Sequence, residues 1–390
     1  MDAGARQPHP LAGITVVELG HSVAGPFACQ ILADLGAQVI KIEKGAGDDA
    51  RHWGPPFVDG ASATFQALNR GKRSFTLDLR GPDDRQALLD LVVAQDDVVV
   101  QNMRPGQVAE LGLDAASLRA LQPRLVYCNM GAFGAAGPLA DRPGYDPLMQ
   151  AFGGIMSVVG EPGGAPVRVG PSIVDMGCGL WAALGVVSLL MRRQQTGEGG
   201  VVDVSLLETS IGWMSLFSAQ FLASGTVPAK NGSGQAGIVP YRAYRTADGD
   251  LVVAAGNDKL FAALCAVLGH PEWVVDERFA SNPARVGHAA GLYALLEPCF
   301  LQRGNAEWMA LLESAGIPCA PVQDVAQMLA HEQTQAIGLL QQVAGSSIPL
   351  VGLPLCLDGL RPTASHAAPA LGEAGSLRQF LAESLPRETP

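Results

Sequence analysis

Short apolar runs alternate with amphipathic stretches along the first half of the chain. Residues 14–19 (ITVVEL) and 38–43 (QVIKIE) are rich in β-branched residues and bounded by turn residues, which predicts two buried strands. Between them, Pro26 suits the first position of a helix over 27–35, and Gly36 ends that helix. Further strands are predicted at 74–79, 98–102, 125–130 and 201–206, with helices at 82–94 and 115–121. This alternation predicts an α/β fold with an open, mostly parallel, Rossmann-like sheet.

The pattern changes after a helix predicted at 208–223. A polar, glycine-rich loop at 225–237 is followed by short strands at 241–244 and 250–255 and by helices at 260–268, 289–300 and 306–315. We therefore predict a large domain over residues 1–223 and a smaller inserted α+β domain over 224–328. The C-terminal segment, 329–390, is predicted to return to the large domain.

Three features together predict a cytoplasmic protein that does not cross a membrane. The most apolar segment, 180–191, is too short to span a bilayer and is interpreted as a buried helix. The N-terminal residues MDAGARQPHP contain no apolar core of the kind found in signal peptides. The seven cysteines are scattered without a CxxC pair, which argues against a zinc site or a disulfide framework and favours reduced thiols.

The charge is unevenly distributed. The chain of 390 residues has a net charge of −11, which argues against general nucleic-acid binding. Between positions 41 and 80, however, seven basic residues outnumber five acidic ones: Lys41, Lys44, Arg51, Arg70, Lys72, Arg73 and Arg80 against Glu43, Asp48, Asp49, Asp59 and Asp78. This cluster fits either a site for a small anionic ligand or a solvated charged face. Ligands of open parallel sheets bind beyond the carboxyl ends of the strands, so the segments after Leu19, Glu43, Leu79 and Asn102 are candidate binding loops.

A glycine-rich stretch of low charge, residues 144–179, contains two aspartates, Asp146 and Asp175. Asp175 follows the apolar run 172–174 and precedes the long hydrophobic segment. It is either the N-cap of a helix or a reactive carboxylate in apolar surroundings, and spacing alone leaves both readings open. Cys178 is a second candidate nucleophile, although a small free cysteine is more often simply buried.

Several motifs, taken in order and spacing, resemble the class III CoA-transferases. This family includes formyl-CoA transferase, the carnitine and succinyl-CoA:dicarboxylate CoA-transferases, and α-methylacyl-CoA racemase. The motifs cover nearly the whole chain: PLAGITVVELGHSVAGPFACQILADLGAQVIKIEKGAGDDAR, LNRGKRSFTLDLR, VVVQNMRPG, GYDPLMQAFGGIMSVVG, IVDMGCG, RRQQTGEGGVVDVSLLE, GIPCAPV and PALGE.

The resemblance implies that Asp175 is the nucleophile of a CoA-transferase. CoA would move from an acyl-CoA to a free carboxylic acid, small and preferably dicarboxylic, through an aspartyl-CoA thioester. Such covalent catalysis splits one difficult exchange into easier steps and needs no metal. Arg51, Arg142 and Arg168 are candidates to pair with the second carboxylate of the acid.

The resemblance also implies the CoA contacts and the assembly. The contacts would come from His21, Ser22, Val23, Ala24, Lys44, Leu77, Arg80, Asn102, Met103 and Arg104. A family position that often carries a phosphate-facing arginine is Glu110 here, which leaves that contact unfilled. The loop 231–237 (NGSGQAG) matches a lid of formyl-CoA transferase, with Gln235 in position to bond an acyl group. Family members are interlocked homodimers, and the same assembly is implied for this chain.

Tyr145 bears on which reaction of the family to expect. The racemase pairs an aspartate that matches Asp175 with the histidine of a GHD motif, which is GYD here. A tyrosine, with an ordinary pKa near ~10, is a poor base at neutral pH. The departure argues against a racemase or epimerase, and Tyr145 and Asp146 are predicted to orient the acyl or acceptor group instead. A non-catalytic acyl-CoA-binding protein is a third reading, and the intact Asp175 argues against it.

Overall fold

A computed structural model gives the structure of residues 9–95 and 97–384. Most of the N-terminal segment used to argue against a signal peptide, residues 1–8, lies outside these described residues.

The chain divides into two compact units. The large unit comprises Met1–Ile155, Arg168–Ala219 and Gln333–Pro390, and the small unit comprises Met156–Val167 and Gln220–Glu332. The sequence placed 156–167 in the large domain, whereas the structure groups it with the small unit. Gly232 there donates its N–H to the carbonyl of Gly160, and the Lys230 ammonium donates to the carbonyls of Gly164 and Ala165.

Over the described residues, the predicted strands and helices occur in the predicted order, the structure adds several short elements between them, and the helix predicted at 208–223 is two helices. The strands are β1 (Thr15–Leu19), β2 (Gln38–Glu43), β3 (Phe57–Val58), β4 (Ala61–Ser62), β5 (Lys72–Thr76), β6 (Val98–Gln101), β7 (Val126–Gly131), β8 (Gly200–Ser205), β9 (Tyr241–Arg245), β10 (Asp250–Ala254), β11 (Cys319–Pro321), β12 (Leu340–Gln341) and β13 (Leu350–Val351). The α-helices are α1 (Ala24–Asp34), α2 (Ala63–Asn69), α3 (Pro82–Gln95), α4 (Gln107–Glu110), α5 (Ala115–Leu121), α6 (Asp146–Phe152), α7 (Ile155–Val158), α8 (Ile173–Thr196), α9 (Leu206–Trp213), α10 (Ser215–Ser224), α11 (Asp258–Leu268), α12 (Asn282–Gly287), α13 (Ala289–Phe300), α14 (Asn305–Ser314), α15 (Val325–Ala330), α16 (Glu332–Ala336) and α17 (Leu377–Ser384).

A six-stranded parallel sheet organises the large unit. Its order is β5-β2-β1-β6-β7-β8, and every neighbouring pair is parallel. The strands are buried and β-branched, with Val16, Val99 and Phe75 contributing to the core. The predicted open α/β sheet is confirmed. The strand order changes direction between β1 and β6, and such a switch point is where sheets of this type form a ligand crevice at their carboxyl edge.

The small unit contains its own antiparallel sheet. Strands β11, β10 and β9 pair in that order, and helices α11, α13 and α14 contribute to the core beside them. Tyr244, Phe261 and Phe300 are among its fully buried residues. This agrees with the predicted smaller α+β domain. The C-terminal segment returns to the large unit, where the Ala374 N–H donates to the carbonyl of Ser74 on β5.

Helix α8 differs most from its prediction. The apolar segment 180–191 was judged too short to cross a bilayer, but it lies within a helix of 24 residues. By length and composition alone this helix could cross a membrane. The core helix of a soluble protein meets the same two criteria. In this protein 44% of the most apolar part of the helix is buried. The predicted buried helix is buried on one face only, because Leu180, Leu184 and Met191 are about half exposed or more.

Four of the seven basic residues in the charged cluster of 41–80 are buried. They therefore form neither a site for a small anionic ligand nor a solvated charged face. They pair with acidic side chains: Lys41 with Glu18 (2.8 Å) and Asp48 (2.9 Å), Lys72 with Glu18 (2.8 Å), Arg51 with Glu43 (2.7 Å), and Arg70 with Asp34 (2.6 Å). A charge count within 41–80 missed this because Glu18 and Asp34 come from outside that span.

Candidate active site

Asp175 lies in the first turn of α8, not at its N-cap. The helix begins at Ile173 and its N-cap is Ser172, whose side chain makes no capping hydrogen bond. The capping reading of Asp175 is therefore wrong. Its side chain is half-buried.

Asp146 caps α8 from another helix. It is the first residue of α6 and is 2% exposed. Its Oδ2 accepts the backbone N–H groups of Val174 (2.8 Å) and Asp175 (3.1 Å), which have no acceptor inside α8. Its Oδ1 accepts a 2.6 Å hydrogen bond from Nε2 of Gln150, which is also fully buried. Gln150 Oε1 in turn accepts the Val169 N–H at 2.8 Å, so the segment leading into α8 is fixed to the same helix.

The surroundings of Asp175 favour its neutral form. Burial, and then the charge of Asp146, raise its pKa to about 7. Within the described residues, no hydrogen bond or ion pair joins the Asp175 carboxylate to a cation. Burial also raises the pKa of the Cys178 thiol to about 12, so this cysteine lacks the thiolate character of a nucleophile.

Close packing between α8 and α1 brings Asp175 near the loop after β1. A Cβ built on Gly179 would lie 2.8 Å from the carbonyl oxygen of Ala24 and 3.1 Å from the backbone nitrogen of Ala28. Asp175 and Gly179 are four residues apart and share a face of α8, separated by about 6 Å along the axis. The nucleophile candidate therefore lies one helical turn from the point where the first turn of α1 touches α8.

The loop after β1 is held from two sides. Asn102 clamps His21: its Oδ1 accepts the His21 N–H and its Nδ2 donates to the His21 carbonyl, both at 2.9 Å. Ser22 has a positive φ of 67°, and its N–H donates to Oδ1 of Asp48 at 2.9 Å. Burial is the main cause of a lowered pKa at His21, so its ring is neutral at pH 7. Val23 is the N-cap of α1 and Ala24 its first residue, so these positions present backbone to the site.

The other predicted CoA contacts lie in loops at the same edge of the sheet. Lys44 follows β2, Leu77 and Arg80 follow β5, and Asn102, Met103 and Arg104 follow β6, whose neighbours include β1. The Met103 N–H donates to Oε1 of Gln101 at 2.8 Å. Lys44 is exposed and pairs with Asp49 at 2.8 Å, and Arg80 and Arg104 are exposed cations. Leu77 is buried, which leaves mainly its backbone for contact. Both the oxygen and the nitrogen of the Asn102 amide bond the His21 backbone, so Asn102 shapes the loop.

Three further predicted positions, Tyr145, Gln235 and Arg51, differ in exposure and in hydrogen bonding. Tyr145 is 62% exposed and immediately precedes α6. Gln235 belongs to the small unit and is exposed, and its loop is tied down where the Gln235 N–H donates to the Tyr241 carbonyl. The lid function of that loop stays a prediction. Arg51, suggested as a partner for a substrate carboxylate, is buried and held by two bonds to Glu43 and one to the Pro369 carbonyl. It is therefore not free to bind substrate, whereas Arg142 and Arg168 are exposed.

Sequence reasoning missed Gln150, Asp48 and the role of Gly179. Gln150 is four residues after Asp146 in a helical pattern, a spacing that could have paired them. Gly179 is four residues after Asp175, which could have indicated a close helix contact. Asp48 was counted only in the charged cluster, because the backbone of Ser22, which it holds at the site, lies 26 residues earlier. Among the described residues no group of three or more metal-ligating side chains occurs.

This geometry belongs to the α/β enzymes that bind their ligands beyond the carboxyl ends of parallel strands. Within that class, the profile of CoA-transferase family III matches residues 11–375, and the chain belongs to this family. The resemblance found in the sequence motifs is confirmed.

Several characterised relatives and a solved structure are similar over almost the full chain. Succinate–glutarate CoA-transferase of Agrobacterium fabrum is 38% identical, covering 98% of this chain and 97% of the relative. Acetyl-CoA:oxalate CoA-transferase of Acetobacter aceti is 37% identical, covering 95% of each. The crystal structure of a CAIB/BAIF family protein from Brucella suis is 39% identical with a TM-score of 0.88, covering 96% of this chain and all of that one.

Proposed function

We propose that this enzyme transfers CoA from an acyl-CoA to a free dicarboxylic acid through a covalent thioester on Asp175. The observation that carries the proposal is the Asp175 carboxylate itself. It is half-buried, has no cationic partner among the described residues, and lies one helical turn from the point where α8 meets the first turn of α1. The names of the relatives support the substrate class, since they act on succinate, glutarate and oxalate.

The chemistry proceeds in two exchanges at Asp175. A carboxylate oxygen attacks the thioester carbonyl carbon, the carbon–sulfur bond breaks, and CoA leaves as a thiolate from a mixed anhydride. The thiolate then attacks the Asp175 carbonyl carbon, which releases the donor acid as a carboxylate and leaves an aspartyl-CoA thioester. The acceptor acid reverses both steps and leaves as its own CoA thioester. Apolar surroundings protect the anhydride, because water there would hydrolyse it.

The carboxyl-edge loops supply a place for CoA. The backbone around His21–Ala24 is fixed by Asn102 and Asp48, so it can meet the pantetheine arm without reorganising. The exposed cations Lys44, Arg80 and Arg104 suit the phosphates of CoA. The exposed Arg142 and Arg168 are candidates for the second carboxylate of the acid. Their places in the complex are part of the proposal.

Trapping the intermediate tests the proposal. The protein is incubated with succinyl-CoA, quenched with hydroxylamine, and digested for mass spectrometry. We expect a hydroxamate on Asp175, and no transfer of CoA to glutarate or oxalate by Asp175→Ala. Asp90→Ala, which removes an exposed carboxylate on α3, should retain full activity. A hydroxamate elsewhere, or normal transfer by Asp175→Ala, contradicts the proposal, and deuterium wash-in at the α-carbon of a 2-methylacyl-CoA would replace it with a racemase.

We also propose that the enzyme is an interlocked homodimer, as its family resemblance implies. Leu180, Trp181 and Leu184 form an exposed apolar stripe on α8. Contiguous apolar surface of this kind is typical of protein interfaces. The stripe supports a second copy of the chain as its partner.

A further inference from the structure

We infer that Asp146 is a positioning residue whose negative charge drives Asp175 toward its covalent, uncharged state. The inference rests on the proposed function, and it assigns Asp146 a role different from the substrate contact predicted from sequence. It starts from geometry. Asp146 is 2% exposed, and all its described hydrogen bonds are internal, to the first turn of α8 and to Gln150.

Two backbone N–H groups and one side-chain amide hold the Asp146 carboxylate in place. Oδ2 accepts two backbone N–H groups at the positive end of a helix, and Oδ1 accepts the Gln150 amide at 2.6 Å. The same bonds fix this carboxylate against the backbone of Asp175 itself.

Cys178 on α8 and Glu208 on α9 are other ionisable groups near this turn. Glu208 on α9 interacts with the Cys178 thiol of α8, whose pKa is raised to about 12 mainly by burial, so that thiol is neutral. The residues of α1 that approach α8 at Gly179 are Ala24, Phe27 and Ala28, which are uncharged. Asp146 is the charge that acts on Asp175, after burial, in raising its pKa to about 7.

The Asp175 carboxylate loses its negative charge during the proposed reaction. Asp175 begins as an anion beside the fixed anion of Asp146. When its oxygen attacks, the negative charge leaves first on the CoA thiolate and then on the released carboxylate. Both the anhydride and the thioester of Asp175 are uncharged. Repulsion from Asp146 therefore destabilises the free carboxylate and leaves the intermediates unaffected, so it favours their formation.

The test measures single-turnover acylation of Asp175 against pH, with succinyl-CoA as the probe. In the unmodified protein we expect the acylation rate to rise with pH through an apparent pKa near 7. Asp146→Asn keeps an oxygen to accept the N–H groups but removes the charge. It should move the apparent pKa down by about one unit or more, and lower the equilibrium amount of trapped adduct about tenfold.

Control variants separate charge from capping. Asp114→Asn changes a comparable cap, which accepts the Ala116 and Ser117 N–H groups at the start of α5, and should leave the pH profile unmoved. Asp146→Glu retains the charge and should keep the apparent pKa near 7 even if the rate falls.

Three outcomes would overturn the inference. They are an acid limb near pH 4 in the unmodified protein, a limb that Asp146→Asn leaves in place, or an equal shift in Asp114→Asn. The first can be measured even if Asp146→Asn fails to fold. If no adduct forms on Asp175 at any pH, the proposed function itself fails, whereas an adduct with an acid limb near pH 4 defeats only the role of Asp146.

Discussion

At the scale of single residues, the site is defined by the unfavourable negative charge of the Asp175 carboxylate. A carboxylate in water has a pKa near ~4, and burial beside Asp146 raises that of Asp175 to about 7. Folding therefore works against the ionised form of this residue. A carboxylate that is destabilised as an anion is also a better nucleophile, so a cost in stability accompanies the proposed chemistry.

This cost predicts a pH-dependent gain in stability for Asp175→Asn. Between pH ~4 and ~7 the native protein binds more protons at position 175 than the unfolded chain, so its stability falls as the pH rises across that window. Asparagine removes this dependence. We expect its free energy of unfolding to exceed that of the wild type by about 1–3 kcal/mol more at pH 8 than at pH 5. Urea unfolding at both pH values measures this, and an equal difference at the two would contradict the account.

Sequence could identify Asp175 only together with the family motifs. From local pattern alone it was as good a candidate for an N-cap. The cap is Asp146, 29 residues earlier, and such pairing depends on how α6 meets α8, which no local rule describes. The predicted role of Asp146 in orienting the acyl or acceptor group stays a prediction. Its bond to Gln150 could have been suggested only by the four-residue spacing, which many pairs of helical residues share.

At the scale of elements, the contact between α1 and α8 determines how near the nucleophile lies to the loop after β1. Gly179 permits this contact, because a side chain there would meet the backbone of α1. The periodicity predicted β1 and β2 almost to the residue, but it placed the start of the helix between them three residues too late, since α1 begins at Ala24 and Pro26 is its third residue. It did not predict the start of α8, since the apolar run 172–174 fitted the end of a loop equally well.

Gly179→Ala should therefore impair catalysis more than folding. The added methyl group lies 2.8 Å from the Ala24 carbonyl and forces α1 away from α8. We expect CoA transfer to fall at least tenfold, because small misplacements of reacting groups are costly. Gly212→Ala is the matched control, since nothing lies within 4 Å of a Cβ at that position of α9. Steady-state rates that are equal for the two variants would disprove the importance of this contact.

At the scale of the molecule, a buried ionic cluster joins strands β1, β2 and β5 of the large unit. Glu18 lies between Lys41 and Lys72, and Lys41 also contacts Asp48, which holds the Ser22 backbone. Burial acts against the charge of Lys41, but the acidic partners of Lys41 raise its pKa. The contribution of Lys41 to the stability of the fold therefore persists at pH values below about 10. The cluster thereby connects the stability of the sheet to the shape of the loop after β1.

Lys41→Met should destabilise the protein strongly. It leaves Glu18 and Asp48 with a buried charge that is only partly compensated, at a cost of about 3–5 kcal/mol. Lys44→Met is the matched control, because the Lys44–Asp49 pair is exposed and worth at most about 1 kcal/mol. Chemical denaturation at pH 7 compares the two, and a similar midpoint for both would show that the buried cluster adds no stability.

The proposed homodimer predicts the mass of the particle in solution. Light scattering should find a particle of twice the 40.5 kDa chain mass. Leu184→Glu, on the exposed stripe of α8, should shift it toward a single chain. Leu121→Glu changes a leucine of similar exposure on α5, 57% against 53%, and should leave the dimer intact. A monomeric wild type would contradict the proposed homodimer.

The cytoplasmic location expected from the sequence stays a prediction.

The central claim is that Asp175 carries CoA as a thioester, and one measurement addresses it directly. The protein is loaded with succinyl-CoA, reduced with borohydride, digested, and the peptide containing residue 175 is sequenced by mass spectrometry. Borohydride reduces a thioester to an alcohol and leaves a free carboxylate unchanged. The account predicts homoserine at position 175 in loaded protein and aspartate in protein treated without succinyl-CoA. An unmodified Asp175 in loaded protein that still transfers CoA would contradict it.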